Sequence, residues 1–181
     1  MYFEKVGKEN TSKTVELAIN KAKELSVKYI VVATNTGETA DYLKGADGIN
    51  VVCVTHAYGF KEPNVNELSD IKREALLKRG FKVCTAGHAL SGAERGISNK
   101  FGGAYPIEIM ANTLRMFGQG VKVCVEIATM AADAGFIPVS EPIIAIAGTG
   151  RGADTAVVMR GATSNHILDT KVDEIICKPI V

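Results

Sequence analysis

Three observations predict an α/β fold: a three-layer sandwich built on a mostly parallel sheet with an antiparallel edge. Short apolar runs, Tyr29 to Ala33, Val51 to Thr55, Phe81 to Thr85 and Ile143 to Ala147, alternate with longer helical stretches. Strand, helix, strand in repetition implies right-handed crossovers, which bury both faces of a parallel sheet under helices. At 181 residues the chain makes one domain, 1–181, with room for a sizeable core.

Asn10 or Thr11 caps a first helix that carries Val15, Leu17, Ala18, Ala22 and Leu25 at helical spacing. After the strand Tyr29 to Ala33, a short helix begins at Thr39 and ends at Gly45 and Gly48. Beyond the strand Val51 to Thr55 a helix spans about Glu67 to Lys78, stopped by Gly80, and Phe81 to Thr85 is the third strand. Gly87 to Gly103 holds five glycines in 17 residues and reads as a loop. Pro106 fits the first turn of a helix running to about Phe117. Val121 to Ala134 suits a strand or a buried helix by periodicity; its length and the ending Asp133, Ala134, Gly135 favour the helix. Ile143 to Ala147 is the next strand, and Thr155 to Met159 and Glu174 to Cys177 add two more, with an antiparallel edge.

Charge is nearly balanced, 21 Lys plus Arg against 20 Asp plus Glu, which predicts no electrostatic footprint for nucleic acid. No run approaches the ~18 apolar residues of a membrane span, and charged residues come soon after Met1 in place of a leader's apolar segment. A cytoplasmic protein without a membrane partner is expected; a homo-oligomer is compatible with the sequence. Cys53, Cys84, Cys124 and Cys177 lie far apart, each within an apolar run, and read as buried reduced thiols rather than metal ligands.

If the first strands are parallel, their C-terminal ends share one edge, where open α/β sheets bind ligands. Each strand leads into a polar loop: Thr34, Asn35, Thr36, Gly37, Glu38, Thr39 after the first, Thr55, His56 and Gly59 after the second, Thr85, Gly87 and His88 after the third. A fourth parallel strand delivers Gly148, Thr149, Gly150, Arg151, Gly152 and Asp154 to the same edge. Polar, glycine-rich connections are ordinary in such folds, but four around one crevice point to a ligand. The first loop, ahead of a helix N-terminus, has the chemistry of a phosphate site. There Thr36 and Thr39 would donate hydroxyls, Gly37 would let the backbone approach, and Glu38 would cap the helix. Arg151 and Arg95 are the cationic candidates, or else structural ion-pair partners. Glu126, a carboxylate among apolar neighbours, needs a cation or donors: an arginine, or a ligand's ring or hydroxyl. His88 and Ser91 complete the candidate set, and His56 and His88 could contact a ring or act as general acids, or stand as solvated polar residues. The glycines of Gly148 to Gly152 fall at positions one, three and five with no Lys-Ser/Thr after them, which fits neither a dinucleotide fingerprint nor a P-loop.

The run Ile30 to Thr39, the strand Val51 to Thr55 and the stretch Ile143 to Thr155 resemble the pyruvate kinase C-terminal domain. That resemblance implies a Ser/Thr, Gly, Ser/Thr loop holding a phosphate of a sugar bisphosphate effector, with Thr149 to Thr155 as a second effector loop. The catalytic barrel of that enzyme takes about 250 residues, so no pyruvate kinase activity is expected from these 181. The chain is more similar still to small stand-alone prokaryotic proteins of this domain type, which share the runs at Glu9 to Thr11, Ser91 to Ser98, Lys122 to Gly135 and Arg151 to Val158. Some of that group bind flavin mononucleotide (FMN). The resemblance therefore implies FMN in the crevice, its phosphate on the Thr34 to Thr39 loop and Gly87 to Gly103 folded over the isoalloxazine. Alternatives are a non-catalytic sensor of a phosphorylated metabolite and a flavin-dependent oxidoreductase. A phosphate-ester enzyme using His56 or His88 is disfavoured, because no metal-binding carboxylate cluster accompanies them.

Overall fold

The computed structural model describes residues 1–180. A seven-stranded sheet runs in the order β1 (Tyr2–Phe3), β7 (Lys171–Pro179), β6 (Thr155–Arg160), β5 (Pro142–Ala147), β2 (Tyr29–Ala33), β3 (Asn50–Val54), β4 (Lys82–Cys84). The pairs β5–β2, β2–β3 and β3–β4 are parallel, and β6 is antiparallel to both its neighbours. The helices are α1 (Thr11–Glu24), α2 (Glu38–Asp41), α3 (Asp70–Lys78), α4 (Gly92–Phe101), α5 (Pro106–Arg115) and α6 (Gln119–Asp133). The expected sandwich and mostly parallel sheet are therefore present.

Strand periodicity divides the core between the two faces. Ile30 and Val32 of β2 join Val51 and Cys53 of β3 and Ile144 and Ile146 of β5 on the face that packs Val15, Ala18, Ile19 and Ala22 of α1. The alternate residues, Val31, Val52, Val54, Ile143 and Ala145, meet Cys124, Ile127, Ala128 and Ala131 of α6. Residues 30–32 and 143–146 are wholly shielded from water, and burying each large aliphatic side chain there stabilises the fold by about 1.5–3 kcal/mol. Gly120 lets α6 approach the sheet, since a Cβ there would lie 2.1 Å from Thr155 Oγ1. All four cysteines are buried and unpaired, and burial pushes the Cys53 thiol up to about 12.

Two expectations need correction. The glycine-rich segment is not a loop throughout: Gly92–Phe101 is helical, although none of its residues is buried. The helix after the first loop has four residues, too short to contribute a useful macrodipole. The structure also adds β1, which pairs with β7, and the Met1 ammonium donates to the Ile176 carbonyl at 2.7 Å. Among the described residues no helix is long and apolar enough to cross a membrane.

Candidate functional site

Because β2, β3, β4 and β5 run in one direction, their C-terminal ends form one edge, and a crevice of two lobes straddles it. The lobes meet over Ala33 and Asn35 at the end of the central strand, with His56, Gln119 and Val123 also common to both. One lobe, about 300 Å³, opens on the α1 side; the other, about 270 Å³, opens on the α6 side.

The α1-side lobe is polar. Thr34, Asn35, Thr36, Glu38 and Thr39 form one wall, Gly148, Gly150, Arg151 and Gly152 another, and Lys8 and Thr11 a third. Thr34 Oγ1 is buried here without a hydrogen-bond partner, an uncommon state for a hydroxyl and a cost unless something in the lobe completes it. Arg151 is exposed and enters no ion pair among the described residues, while Lys8 Nζ meets Glu38 Oε2 at 3.2 Å. Glu38 therefore pairs with Lys8 and does not cap the helix, whose N-cap is Gly37 without a side-chain bond. Gly37 is required for a different reason from close ligand approach: its φ of +88° is left-handed, and a Cβ would come within 2.6 Å of the Lys72 side chain. Gly152 is equally constrained, since a Cβ would meet Thr11 Oγ1 at 2.4 Å and the Lys8 Cα at 2.6 Å. That contact presses the second loop onto the start of α1.

The α6-side lobe combines apolar and charged groups. Phe60, Ile127 and Met130 supply apolar surface, and Thr55, His88, Ser91, Arg95 and Glu126 line it as the sequence suggested. Glu126 is buried and accepts from Lys122 Nζ at 2.6 Å and the Leu90 N–H at 3.1 Å, so its cation is a lysine one helical turn earlier rather than an arginine. Burial pushes the Lys122 ammonium below its usual 10.5, against the pull of Glu126. Arg95 Nε donates to Glu108 Oε1 at 2.9 Å, so it is an ion-pair partner as well as a wall residue. His88 is half-buried and its Nε2 accepts the Ala57 N–H at 3.3 Å, which fixes a neutral ring with its proton on Nδ1. The Thr55 hydroxyl is spent internally, donating to the His56 carbonyl at 2.8 Å.

Four candidates stand apart from the crevice walls: Gly37, whose constraint is the Lys72 side chain, and Asp154, Thr149 and Gly59. Asp154 is fully buried and accepts from Gly7 N, Thr149 N and Thr155 Oγ1, so it organises the second loop from beneath. Thr149 is held by that bond, and Gly59 forms a turn whose N–H donates to Val65 O at 3.0 Å. Sequence reasoning missed Lys8, Thr11, Arg115, Gln119, Lys122 and Val123. Most of these sit at or near the N-termini of α1 and α6, long helices preceding parallel strands, and such helices start at the ligand edge by topology.

A sheet covered on both faces, with its crevice at the C-terminal ends of parallel strands, defines an open-sheet α/β domain. Residues 12–159 match the family model of the pyruvate kinase alpha/beta domain, and the chain belongs to that family. Among solved structures, a pyruvate kinase from Cryptosporidium parvum is similar at 15% identity over 84% of this chain and 23% of that one, with a TM-score of 0.45. The pyruvate kinase of that organism in complex with ADP is similar at 16% identity over 84% of this chain and 24% of that one, with a TM-score of 0.46. The chain spans about a quarter of the length of the pyruvate kinases it matches.

Proposed function

We propose that this protein binds a phosphorylated cofactor, FMN, across the two lobes, with the phosphate in the polar lobe and the isoalloxazine in the α6-side lobe. The observation that carries the reading is the unpartnered buried hydroxyl of Thr34 in a lobe that also offers Thr36, Thr39 and the unpaired Arg151. A phosphate oxygen would accept from those hydroxyls, and the guanidinium matches a dianion bidentately. The other lobe offers what a planar, partly polar ring needs: the aromatic rings of His56 and Phe60, the apolar side chains of Ile127 and Met130, and the donors Ser91 and Arg95. FMN so held would supply hydride or single-electron chemistry, and the chain would supply binding, orientation and charge.

Flavin fluorescence quenching tests this. FMN is expected to bind, and riboflavin, which lacks the phosphate, to bind far more weakly. Each hydroxyl hydrogen bond to the charged phosphate contributes on the order of 1.5–3 kcal/mol, so T36A/T39A should weaken FMN binding by at least two orders of magnitude in a folded protein. Equal affinity of the double variant and the wild type would remove the phosphate assignment. A colourless phosphorylated metabolite identified by mass spectrometry in the purified protein would favour the sensor reading instead.

A further inference from the structure

Among the described residues His56 is the one titratable side chain that lines both lobes, and it is not an isolated polar residue at a strand end. Its Nδ1 is hydrogen-bonded to Glu67 Oε2, and the other oxygen of that carboxylate is paired with Lys61 Nζ at 2.8 Å. The Glu67 side chain is only 12% exposed. Burial opposes its charge, but the Lys61 ammonium and the hydrogen bond from His56 hold its carboxyl below the usual range, so Glu67 is an anion at neutral pH. An anionic carboxylate can only accept, so the neutral His56 ring carries its proton on Nδ1, and its Nε2 lone pair has no hydrogen-bond partner among the described residues. Phe60 lies against the ring at a centroid distance of 4.3 Å, and His88 meets it edge-on at 5.3 Å, which holds its orientation.

We propose that His56 is a general acid–base group at the junction of the lobes and that Glu67 is its positioning residue, acting on a bound molecule with an O–H or ring N–H at the junction and a phosphate in the polar lobe. The inference rests on the cofactor reading for where the molecule lies, but not for the chemistry of the dyad. The step is a proton transfer alone. The O–H or N–H bond of the bound molecule breaks, its electron pair stays on that atom, an Nε2–H bond forms, and Glu67 offsets the imidazolium charge. The titratable groups around it are Glu67 and Lys61 from the loop before α3, the neutral His88 beyond β4, and Glu126 and Lys122 of α6 behind His88.

Diethyl pyrocarbonate, read residue by residue by mass spectrometry, tests the pair without requiring a ligand. A neutral imidazole nitrogen attacks the carbonyl carbon and expels ethyl carbonate, so the rate reports a free, basic nitrogen. The exposed His166 is the internal reference. In ligand-free protein His56 should react at least as fast as His166 although its side chain is only 29% exposed. At a pH where both rings are neutral, E67Q should slow His56 several-fold and leave His166 unchanged. Nitrogen NMR of the wild type should find the neutral His56 ring protonated on Nδ1, a readout that survives if E67Q does not fold. Protonation on Nε2, or a His56 rate indifferent to Glu67, overturns the proposal. Saturating FMN should protect His56; if FMN binds and His56 still reacts, the ring does not face the bound molecule and the proposal fails. If FMN does not bind while the Glu67-dependent reactivity holds, the cofactor reading falls and the acid–base pair stands.

Discussion

Burial pushes the His88 imidazole below its usual 6.5, against the pull of the Glu126 carboxylate. Between the lowered folded value and 6.5 the unfolded chain binds a proton that the native ring refuses, so stability is full above 6.5 and falls as the pH drops through that window. Urea unfolding at a series of pH values should show this loss, and H88N should flatten it; an unchanged slope would show that the ring does not titrate on unfolding. Glu67 adds a loss of the same sign lower on the scale. Its folded value lies below 4.5, so its contribution is present above 4.5 and disappears as the pH falls through the folded value. The Lys122–Glu126 pair carries a larger stake, because its side chains are only 7% and 8% exposed. K122M would leave a buried carboxylate with the Leu90 N–H alone and should cost about 3–5 kcal/mol in denaturant unfolding. None of these three effects was legible in full in the sequence. Glu126 stood out as a charge among apolar residues that needed a cation, but the choice of Lys122 over an arginine rests on the side-chain geometry of the helix, which puts the two one turn apart.

Among the elements, those with a strong periodic signal were the legible ones. Tyr29–Ala33 agrees with its expectation residue for residue, and the other core strands agree within two residues at each end, because apolar runs bounded by polar loops admit little slippage. β1 has two residues and no pattern to detect. α4 was hidden by composition: Gly92 and Gly96 weaken its helix propensity within a stretch that holds five glycines. What holds α4 is Glu108 of α5, whose Oε1 accepts from Arg95 Nε and Ser98 Oγ while its own N–H donates to Glu94 Oε2. A ten-residue helix with so little packing frays readily. Limited trypsin digestion should therefore cut after Arg95 or Lys100 in ligand-free protein, and E108A should speed those cuts while leaving the thermal midpoint little changed. Since Ser91 and Arg95 line the α6-side lobe, saturating FMN should slow them. Equal cleavage with and without bound FMN would make α4 a surface element with no part in binding.

At the scale of the whole molecule, the crevice depends on a tie between distant parts of the chain. The topology that gathers the loops was predictable, because parallel strands force their C-terminal ends to one edge. The tie was not, because it needs the N-terminal segment to return alongside β7. Asp154 joins the Gly7 N–H at 3.0 Å, the Thr149 N–H at 3.1 Å and the Thr155 hydroxyl at 2.8 Å. Thr11 adds a second link by accepting the Ala153 N–H at 2.9 Å. The first residues of the chain, the second loop and β6 are thus fixed to one another directly beneath the polar lobe. Replacing Asp154 by Ala would leave three donors without their acceptor, at least one of them fully buried, and each orphaned donor costs about 1–3 kcal/mol. D154A should therefore lose several kcal/mol in denaturant unfolding and also weaken FMN binding, although the carboxylate does not itself line the crevice. The conservative D154N retains one acceptor oxygen and should fall between the two. If D154A lost stability and bound FMN with unchanged affinity, the second loop would take no part in holding the phosphate, and the polar lobe would rest on Thr34, Thr36 and Thr39 alone.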